Sequence, residues 1–272
     1  MPGFELIGKE EQKQLSHLMT ESKILFRHGF DNLRNGIFKV LDFEEKFANK
    51  KNVDSALAVS SGTSAILTVL KAFNIKNGDE VITQAFTFVA TVESIVESGA
   101  KPIICDIDKT LNLDPEKFEK NITKKTKAVI VVHMLGIPAD MDRINKIAKK
   151  HNILVIEDTA WGCGGKLNNK WLGTIGDAGT FSFDFAKTMT TGEGGMVIIK
   201  NKKVFKKAQA YHDHGHENNP NLPRWKDSRS STGFNFRMSE LQGAIGLAQL
   251  EKLDSIVNSQ RKNAKKIEKI LN

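Results

Sequence analysis

The sequence predicts an α/β fold with a mostly parallel central sheet and helices on both faces. From residue 56 onward, short apolar segments suited to strands alternate with longer segments suited to helices. Neighbouring parallel strands need such a crossover between them, and a helix is the usual one. The chain has no repeat with a period of roughly twenty to fifty residues and no proline-rich linker. We therefore expect one continuous α/β unit.

The part of the chain before this alternation predicts two helices. Leu15, Leu18 and Met19 share one face of an opening helix, and Phe43 and Phe47 stand four residues apart on a second helix. We expect both faces to pack against the rest of the protein.

The alternating part predicts strands and helices with recognisable ends. Asp114 is a capping residue before Pro115, which suits the first helical position, and Asp140 begins another helix. Asn168 and Asn169 predict a tight hairpin turn, because asparagine tolerates positive φ. The strands are expected at 56–59, 81–83, 102–105, 129–132, 153–156, 179–183 and 196–199, and the helices at 64–73, 89–97, 115–121 and 140–150.

The last part of the chain predicts one long helix. Ser239, with Gln242 three residues later, has the form of a capping box, in which each side chain bonds the other residue's backbone N–H. Leu241, Ile245 and Leu253 follow at helical spacing.

Composition and charge describe an ordinary globular chain. Of its 272 residues, 40% are hydrophobic and 26% are charged, which is enough apolar material for a substantial core. The formal net charge is +8, and such a basic balance raises the question of a nucleic-acid partner. The lysines form only short groups that polar or apolar residues interrupt. We therefore expect solvated surface lysines and no nucleic-acid partner.

Membrane, secretory and disulfide-based classes are not predicted. The longest apolar run, 128–137, is interrupted by His133 and is far shorter than the ~20 residues that a bilayer requires. The first residues reach Glu5 without a basic region and an apolar stretch, so we expect a cytoplasmic protein. Cys105 and Cys163 are too few for a disulfide framework or a cysteine-rich zinc site.

A segment of small residues at 60–64 lies between a predicted strand and a predicted helix. Its sequence is Ser-Ser-Gly-Thr-Ser, and the free backbone N–H groups and the dipole of a helix N-terminus attract phosphate. A tight strand-to-helix connection has the same composition. The segment alone leaves both interpretations open.

Two further positions carry groups suited to cofactor chemistry. Glu157 and Asp158 end an apolar strand, at the edge where ligands bind in open α/β sheets. A carboxylate there suits a cationic ring nitrogen, or it caps a turn. Lys187 follows an aromatic strand and precedes a glycine-rich turn. A partly desolvated lysine is a Schiff-base nucleophile, whereas most lysines are solvated charges.

A histidine-rich loop invites a metal hypothesis. His212, His214 and His216 alternate with Asp213 and end before Glu217. This spacing in a glycine-containing loop matches no established ligand pattern. We expect no metal site and interpret the segment as a loop near the substrate.

A series of motifs along the chain resembles a known family. They are Ser-Ser-Gly-Thr-Ser at 60–64, Gly-Asp-Glu-Val-Ile at 78–82, Phe-Thr-Phe-Val-Ala-Thr at 86–91, Glu-Asp at 157–158, Phe-Ser-Phe at 181–183, Lys187, Gly-Glu-Gly-Gly at 192–195 and Gly-Phe-Asn-Phe-Arg-Met at 233–238. In this order they resemble the DegT/DnrJ/EryC1/StrS sugar aminotransferases, which are fold-type I pyridoxal 5′-phosphate (PLP) enzymes. The resemblance runs from about Gly3 to the chain end.

The resemblance implies PLP as the cofactor and a role for each matched residue. Lys187 would hold PLP as a Schiff base and then move the proton between the substrate Cα and the C4′ carbon. Asp158 would pair with the ring nitrogen, and Phe88 would stack on the ring. Asn235 would reach the phosphate of a neighbouring subunit, which implies a homodimer. The phosphate would otherwise be held by Gly62, Thr63, Ser64 and Ser182.

The sequence departs from the family at two points. Relatives usually carry Gln or His where this chain has Trp161, near the cofactor's hydroxyl. An indole donates a hydrogen bond but cannot accept one, so we expect an altered cofactor tilt or substrate space. The second departure is length: we expect a PLP-binding large domain with N-terminal helices at 1–250, and at 251–272 the start of a connection to a small C-terminal domain that is absent.

The family's activity implies transfer of an amino group from glutamate to a keto or aldehyde sugar. The segments at 1–6, 30–35 and 213–216 look most like 8-amino-3,8-dideoxyoctulosonate aminotransferases, whose acceptor is 8-oxo-3-deoxyoctulosonate, an acidic sugar of lipopolysaccharide. Two alternatives remain open. One is a PLP-dependent sugar dehydratase, a class in which histidine replaces the Schiff-base lysine. The other is a truncated relative that binds PLP without turnover.

Overall fold

Residues 3–219 and 221–271 are described by the computed structural model of the chain. Met1, Pro2, Pro220 and Asn272 lie outside the described residues. Of the segment 1–6 that carries part of the resemblance, residues 3–6 are described. Of the predicted connection at 251–272, residues 251–271 are described.

A seven-stranded sheet forms the centre of the protein. Its strands are β1 (Leu57–Val59), β2 (Glu80–Gln84), β3 (Lys101–Cys105), β4 (Thr126–Val132), β5 (Leu154–Asp158), β8 (Ala178–Ser182) and β9 (Gly195–Ile199). The order is β1-β9-β8-β5-β4-β2-β3. Strands β3, β2, β4, β5 and β8 are parallel, and β9 is antiparallel to both β8 and β1. The prediction of a mostly parallel sheet is confirmed.

Helices cover both faces of this sheet. In the described residues they are α1 (Lys9–His17), α2 (Lys39–Lys51), α3 (Gly62–Ala72), α4 (Val89–Glu97), α5 (Pro115–Lys120), α6 (Met141–His151), α7 (Lys202–Tyr211) and α8 (Glu240–Leu271). Alternate side chains of β4 enter different cores: Ala128 and Ile130 pack with α3, α4 and α7, whereas Val129 and Val131 pack with α5 and α6. The second face also carries α2 and α8, which pack on β8 and β9. Every described helix is too short or too polar to span a bilayer.

Capping side chains fix several helix starts where the sequence predicts them. Asp114 accepts hydrogen bonds from the N–H groups of the first turn of α5, and Asp140 accepts one from Arg143 in α6. Ser239 and Gln242 form the predicted reciprocal pair at the start of α8. The hairpin β6 (Lys166–Leu167) and β7 (Lys170–Trp171) turns at 168–169 through two residues with positive φ, as expected.

The opening helix differs from its prediction. Leu18 is fully buried, but Met19 is half exposed. The reason is local: α1 ends at His17, and a π-helical turn follows at Leu18–Ser22. A π turn closes i→i+5 hydrogen bonds and is wider than an α-helical turn, so the face that the α-helical spacing defines is lost at this point. On α2, Phe43 and Phe47 are both fully buried, as predicted.

Candidate active site

A cavity of about 310 Å³ lies at the carboxyl ends of β5 and β8, beside the N-termini of α3 and α4. This is the edge at which open α/β sheets bind ligands. Seven of the nine residues predicted as cofactor-binding line it: Gly62, Thr63, Phe88, Asp158, Trp161, Ser182 and Lys187. The fold thus brings together residues that lie more than one hundred positions apart in the sequence.

The N-terminus of α3 forms one wall of the cavity. Ser61 Oγ accepts the N–H of Ser64 at 3.0 Å, and Ser64 Oγ accepts the N–H of Ser61 at 2.9 Å. The N–H groups of the first helical residues, Gly62 and Thr63, have no intrahelical acceptor, so they are available to a phosphate. A Cβ at Gly62 would lie 2.8 Å from Cβ of Ser182. Glycine therefore allows α3 to approach the end of β8 this closely.

Asp158 ends β5, and its carboxylate lies on the cavity side of the sheet. The residue is 5% exposed. Its Oδ2 accepts the Thr91 hydroxyl at 2.9 Å, and its Oδ1 accepts the Ala160 N–H at 3.1 Å. Burial raises the pKa of Asp158, while these two hydrogen bonds and the charge of Lys187 oppose the rise. It forms no ion pair with any lysine, arginine or histidine in 3–219 or 221–271, so this buried acid faces the cavity without an ion-pair partner, and Lys187 acts on it only through its charge.

Glu157, adjacent to Asp158 in the sequence, serves the opposite face of the sheet, because successive strand residues alternate sides. Its carboxylate accepts N–H groups of Gly173, Ile175 and Gly176 at 2.6 to 2.8 Å and contacts His133 Nε2 at 2.9 Å. Burial disfavours its charge, but these hydrogen bonds outweigh burial and hold the pKa of Glu157 below its usual value. Glu157 therefore fixes the turn before β8.

Lys187 lies in the loop 183–194, between β8 and β9. The Lys187 N–H donates to Asp184 O at 3.0 Å, and the Ala186 N–H donates to Asp184 Oδ1 at 3.0 Å. Burial lowers the pKa of the Lys187 amine, and the carboxylates of Asp184 and Asp158 oppose the fall. A lowered pKa increases the neutral, nucleophilic fraction of an amine near neutral pH.

Two aromatic side chains border the cavity. Trp161 is 37% exposed, and its ring centroid lies 3.9 Å from Lys187 Nζ. This contact attracts an ammonium more than a neutral amine. Phe88 precedes the first residue of α4 and is 65% exposed, so most of its ring is free to contact a ligand.

Ser64 and Asn235 are the two predicted residues that do not line the cavity. The Ser64 side chain faces the capping network described above, and its hydroxyl also bonds Ser61 O at 2.9 Å. Asn235 is exposed, and its backbone bridges that of Asp213 in the loop after α7. Their predicted roles in holding phosphate stay predictions.

Sequence reasoning assigned no role to six polar residues that line the cavity: Ser61, Thr87, Thr91, Thr180, Asp184 and Glu193. Thr91 holds the Asp158 carboxylate, and its hydroxyl contacts that of Thr87 at 2.9 Å. Glu193 also lines the cavity. The available signal was position: the two threonines stand four residues apart within the motif at 86–91, and Glu193 belongs to the motif at 192–195.

The histidines of the loop after α7 contact different partners. His212 is buried, and its Nδ1 contacts the carbonyl of Gln209. His216 Nδ1 contacts Asp227 Oδ2 at 3.1 Å, and Asp213 pairs with Arg224 and Arg237. In the part of the chain that the structure describes, no group of three or more His, Cys, Asp or Glu side chains is arranged to hold a metal ion.

Comparison with known proteins identifies relatives over nearly the whole chain. The family model of the DegT/DnrJ/EryC1/StrS aminotransferases matches residues 28–272. The chain is 42% identical over 231 residues to a GDP-perosamine synthase of Escherichia coli O157:H7, covering 85% of this chain and 62% of that protein. It is 38% identical over 260 residues to the spore coat polysaccharide biosynthesis protein SpsC of Bacillus subtilis, covering 92% of this chain and 64% of that protein.

Solved structures agree with these sequence relatives. An aminotransferase from Psychrobacter cryohalolentis superimposes with a TM-score of 0.83 at 35% identity, covering 92% of this chain and 63% of that chain. A mutant of the dehydratase ColD, solved with bound GDP-perosamine, superimposes with a TM-score of 0.83 at 31% identity, covering 94% of this chain and 69% of that chain. The prediction of a fold-type I α/β fold is confirmed.

The chain is shorter than these relatives. It spans 57% to 64% of the length of the first four curated proteins that it matches. The cofactor of the family is PLP, as the sequence predicts. The chain belongs to the DegT/DnrJ/EryC1/StrS aminotransferase family.

Proposed function

We propose that this chain is the PLP-binding part of an aminotransferase that moves an amino group from glutamate to a keto or aldehyde sugar. One observation carries the proposal: a partly buried lysine and a buried carboxylate without an ion-pair partner line one cavity next to a helix N-terminus. We assign residues 1–250 to the large domain and 251–272 to the start of a connection to a further domain. A cytoplasmic location remains a prediction.

The residues of the cavity fit the chemical parts of PLP. The free N–H groups of Gly62 and Thr63, with the hydroxyl of Ser182, suit a phosphate. The Asp158 carboxylate is buried and has no ion-pair partner among the described residues, which suits a protonated ring nitrogen. The lowered pKa of Lys187 suits an amine that attacks an aldehyde.

When bound, PLP supplies an electron sink that stabilises negative charge at the substrate Cα. Lys187 would hold the cofactor at rest and, once released, would move a proton between the substrate Cα and the C4′ carbon of the cofactor, which are separated by the nitrogen that joins them. Its lowered pKa supports the base role, because a neutral amine must be present to accept a proton. Asp158 keeps the ring nitrogen protonated, and Thr91 and Ala160 hold its carboxylate in place.

The aromatic borders orient the cofactor and its substrate. Phe88 is exposed at the rim, which supports a stacking role on the pyridine ring. Trp161 occupies the position where relatives carry a hydrogen-bonding side chain, and its contact with Lys187 Nζ supports a second role in holding the released amine.

We propose a homodimer in which Asn235 serves the partner's site. Asn235 is exposed and does not line the cavity of its own chain. Its loop is anchored by Asp213, whose carboxylate pairs with Arg224 and Arg237. A rigid, exposed asparagine is suited to reach an adjacent subunit.

Two acceptor classes fit the proposal. The segments at 30–35 and 213–216 support 8-oxo-3-deoxyoctulosonate of the lipopolysaccharide pathway as the acceptor. Relatives named GDP-perosamine synthase support a nucleotide-linked keto sugar instead. Amino transfer from glutamate is measured with each acceptor in parallel, and the acceptor that receives the amino group is the substrate.

The experiment that tests the proposal uses glutamate alone. A transaminating protein loses the visible absorbance of lysine-bound PLP when glutamate is added, and one equivalent of 2-oxoglutarate appears. A binding-only relative keeps its spectrum and releases no 2-oxoglutarate. A dehydratase is distinguished by the release of a dehydrated sugar without net amino transfer to it, and Lys187 argues against that class.

A further inference from the structure

The segment Gly3–Leu6, a short 3₁₀ helix that we call the strap, lies against the loop that carries Lys187. The Gly3 N–H donates to the carbonyl of Lys187 at 2.9 Å. Next to this bond, the rings of Phe4 and Phe185 lie 5.8 Å apart. The strap therefore contacts the loop 183–194, which we call the catalytic loop, through its backbone and through a side-chain pair.

The contact at Gly3 leaves no room for a side chain. A Cβ there would lie 2.6 Å from Gln249 Oε1, 2.8 Å from Cα of Met189 and 3.0 Å from the carbonyl of Thr188. Two of these three atoms belong to the backbone of the loop, so they cannot move aside without moving Lys187.

Gln249 of α8 joins the strap to the loop. It is fully buried. Its Oε1 accepts the Thr190 N–H at 3.3 Å, and its Nε2 donates to Gly3 O at 3.4 Å and to Glu11 Oε1 at 2.9 Å. One amide thereby connects the end of the catalytic loop, the strap and α1.

Lys252, three residues later on the same face of α8, completes the attachment. Its Nζ donates to the carbonyl of Leu6 at 2.7 Å and to both carboxylate oxygens of Glu11 at 2.8 and 2.9 Å. Both ends of the strap are therefore bonded to the rigid, buried part of α8.

We propose that Gln249 and the strap are positioning elements that fix the backbone of Lys187, so that its amine meets PLP from one direction. The inference rests on the proposed role of Lys187 as the PLP-bearing lysine. Met189 and Thr190 of this loop are fully buried, but Phe185 and Ala186, next to Lys187, are exposed, so packing holds the loop less firmly there and the bonds from the strap and Gln249 add restraint. A fixed backbone matters because small displacements of a reacting group slow a reaction severely.

The first test measures hydrogen exchange of the loop amides in the full chain without PLP. Gly3→Ala and Gln249→Met are expected to speed exchange in 184–190 about tenfold, as the loss of a buried hydrogen bond predicts. Gly8→Ala is the matched control, because the nearest atom to its added Cβ is 3.8 Å away. Unchanged exchange in 184–190 for Gly3→Ala would overturn the proposal, even if Gln249→Met fails to fold.

The second test asks whether the restraint acts on Lys187 chemistry or only on stability. The rate of PLP uptake and the pH midpoint of the bound-PLP spectrum are compared in the same three variants. Slower uptake with a shifted midpoint in Gly3→Ala, but not in Gly8→Ala, supports positioning. Faster exchange with an unchanged uptake rate and midpoint overturns it. Peptide mapping of PLP in the wild type checks the role of Lys187 separately, so a failure of the proposed function is recognised as such.

Discussion

Asp158→Asn tests the charge of the cavity acid apart from its packing. Asparagine has nearly the same size, and its Oδ1 accepts the Ala160 N–H as the carboxylate does. In the variant, Nδ2 donates to the Thr91 hydroxyl, and the Thr91 hydroxyl donates to Thr87. The hydrogen bonds between these three side chains therefore change direction, but none of them is lost. The substitution therefore removes one negative charge and little else.

Two effects of opposite sign follow. Without PLP, burial raises the Asp158 pKa above its usual 3.8, so the wild type loses stability as pH rises from that value through the folded-state pKa. Each unit of pKa shift amounts to about 1.4 kcal/mol. Above that window, the PLP-free variant is expected to be more stable than the wild type.

With PLP bound, the loss of the charge is expected to harm the reaction. A charge pair about 4 Å apart is worth about 4 kcal/mol at an effective dielectric constant near 20. In the variant this attraction no longer stabilises the ring while it takes up negative charge from Cα. Removal of the Cα proton should therefore slow by about a thousandfold. Single-turnover loss of the bound-PLP absorbance with glutamate measures this, at PLP content matched to the wild type. An unchanged rate, or a destabilised PLP-free variant, would refute the assignment of Asp158.

Three further predictions concern the neighbouring residues. Glu157→Gln is expected to lower the unfolding free energy by about 1–3 kcal/mol above pH 4.5, because the ionised Glu157 with its lowered pKa stabilises the fold there. This contribution is lost as the pH falls, and denaturant titrations at several pH values measure it. A changed glutamate half-reaction at matched PLP content would contradict a purely structural role. Tetrafluorotryptophan at Trp161 keeps the ring shape but weakens its attraction for the Lys187 ammonium. The Lys187 pKa should therefore fall, and with it the pH midpoint of PLP uptake, by about 0.5 unit; an unchanged midpoint contradicts that contact. Mixing Asn235→Ala with Lys187→Ala subunits should restore about a quarter of the wild-type sites, since mixed dimers hold one complete site; no restoration in a proven mixed dimer removes the intersubunit role of Asn235.

The alternation of the sequence was enough to predict the sheet and its main helices. Strands and helices between 56 and 199 lie close to where the apolar segments and capping residues place them, because local interactions fix several of the boundaries. Asp114 and Asp140 cap their helices with their own side chains. The antiparallel direction of β9 was not predicted, since an apolar strand carries no signal of its direction.

One local irregularity and one long-range contact are features that the sequence could not predict. The π turn after α1 exposes Met19, and nothing in the local spacing announces such a turn. The motifs correctly predicted that Lys187, Asp158 and Gly62 share one site. They did not predict the strap contact, in which Gly3 meets Gln249 near the other end of the chain. Contacts of this kind depend on how α8 crosses the fold, which a single sequence does not reveal.

PLP is expected to attach to Lys187, and reductive trapping shows which lysine carries it. The purified protein is loaded with PLP, reduced with borohydride and digested, and the modified peptide is identified by mass spectrometry. The account predicts a single PLP-modified peptide containing Lys187, and none in Lys187→Ala. PLP fixed to a different lysine, with Lys187 unmodified, would contradict it.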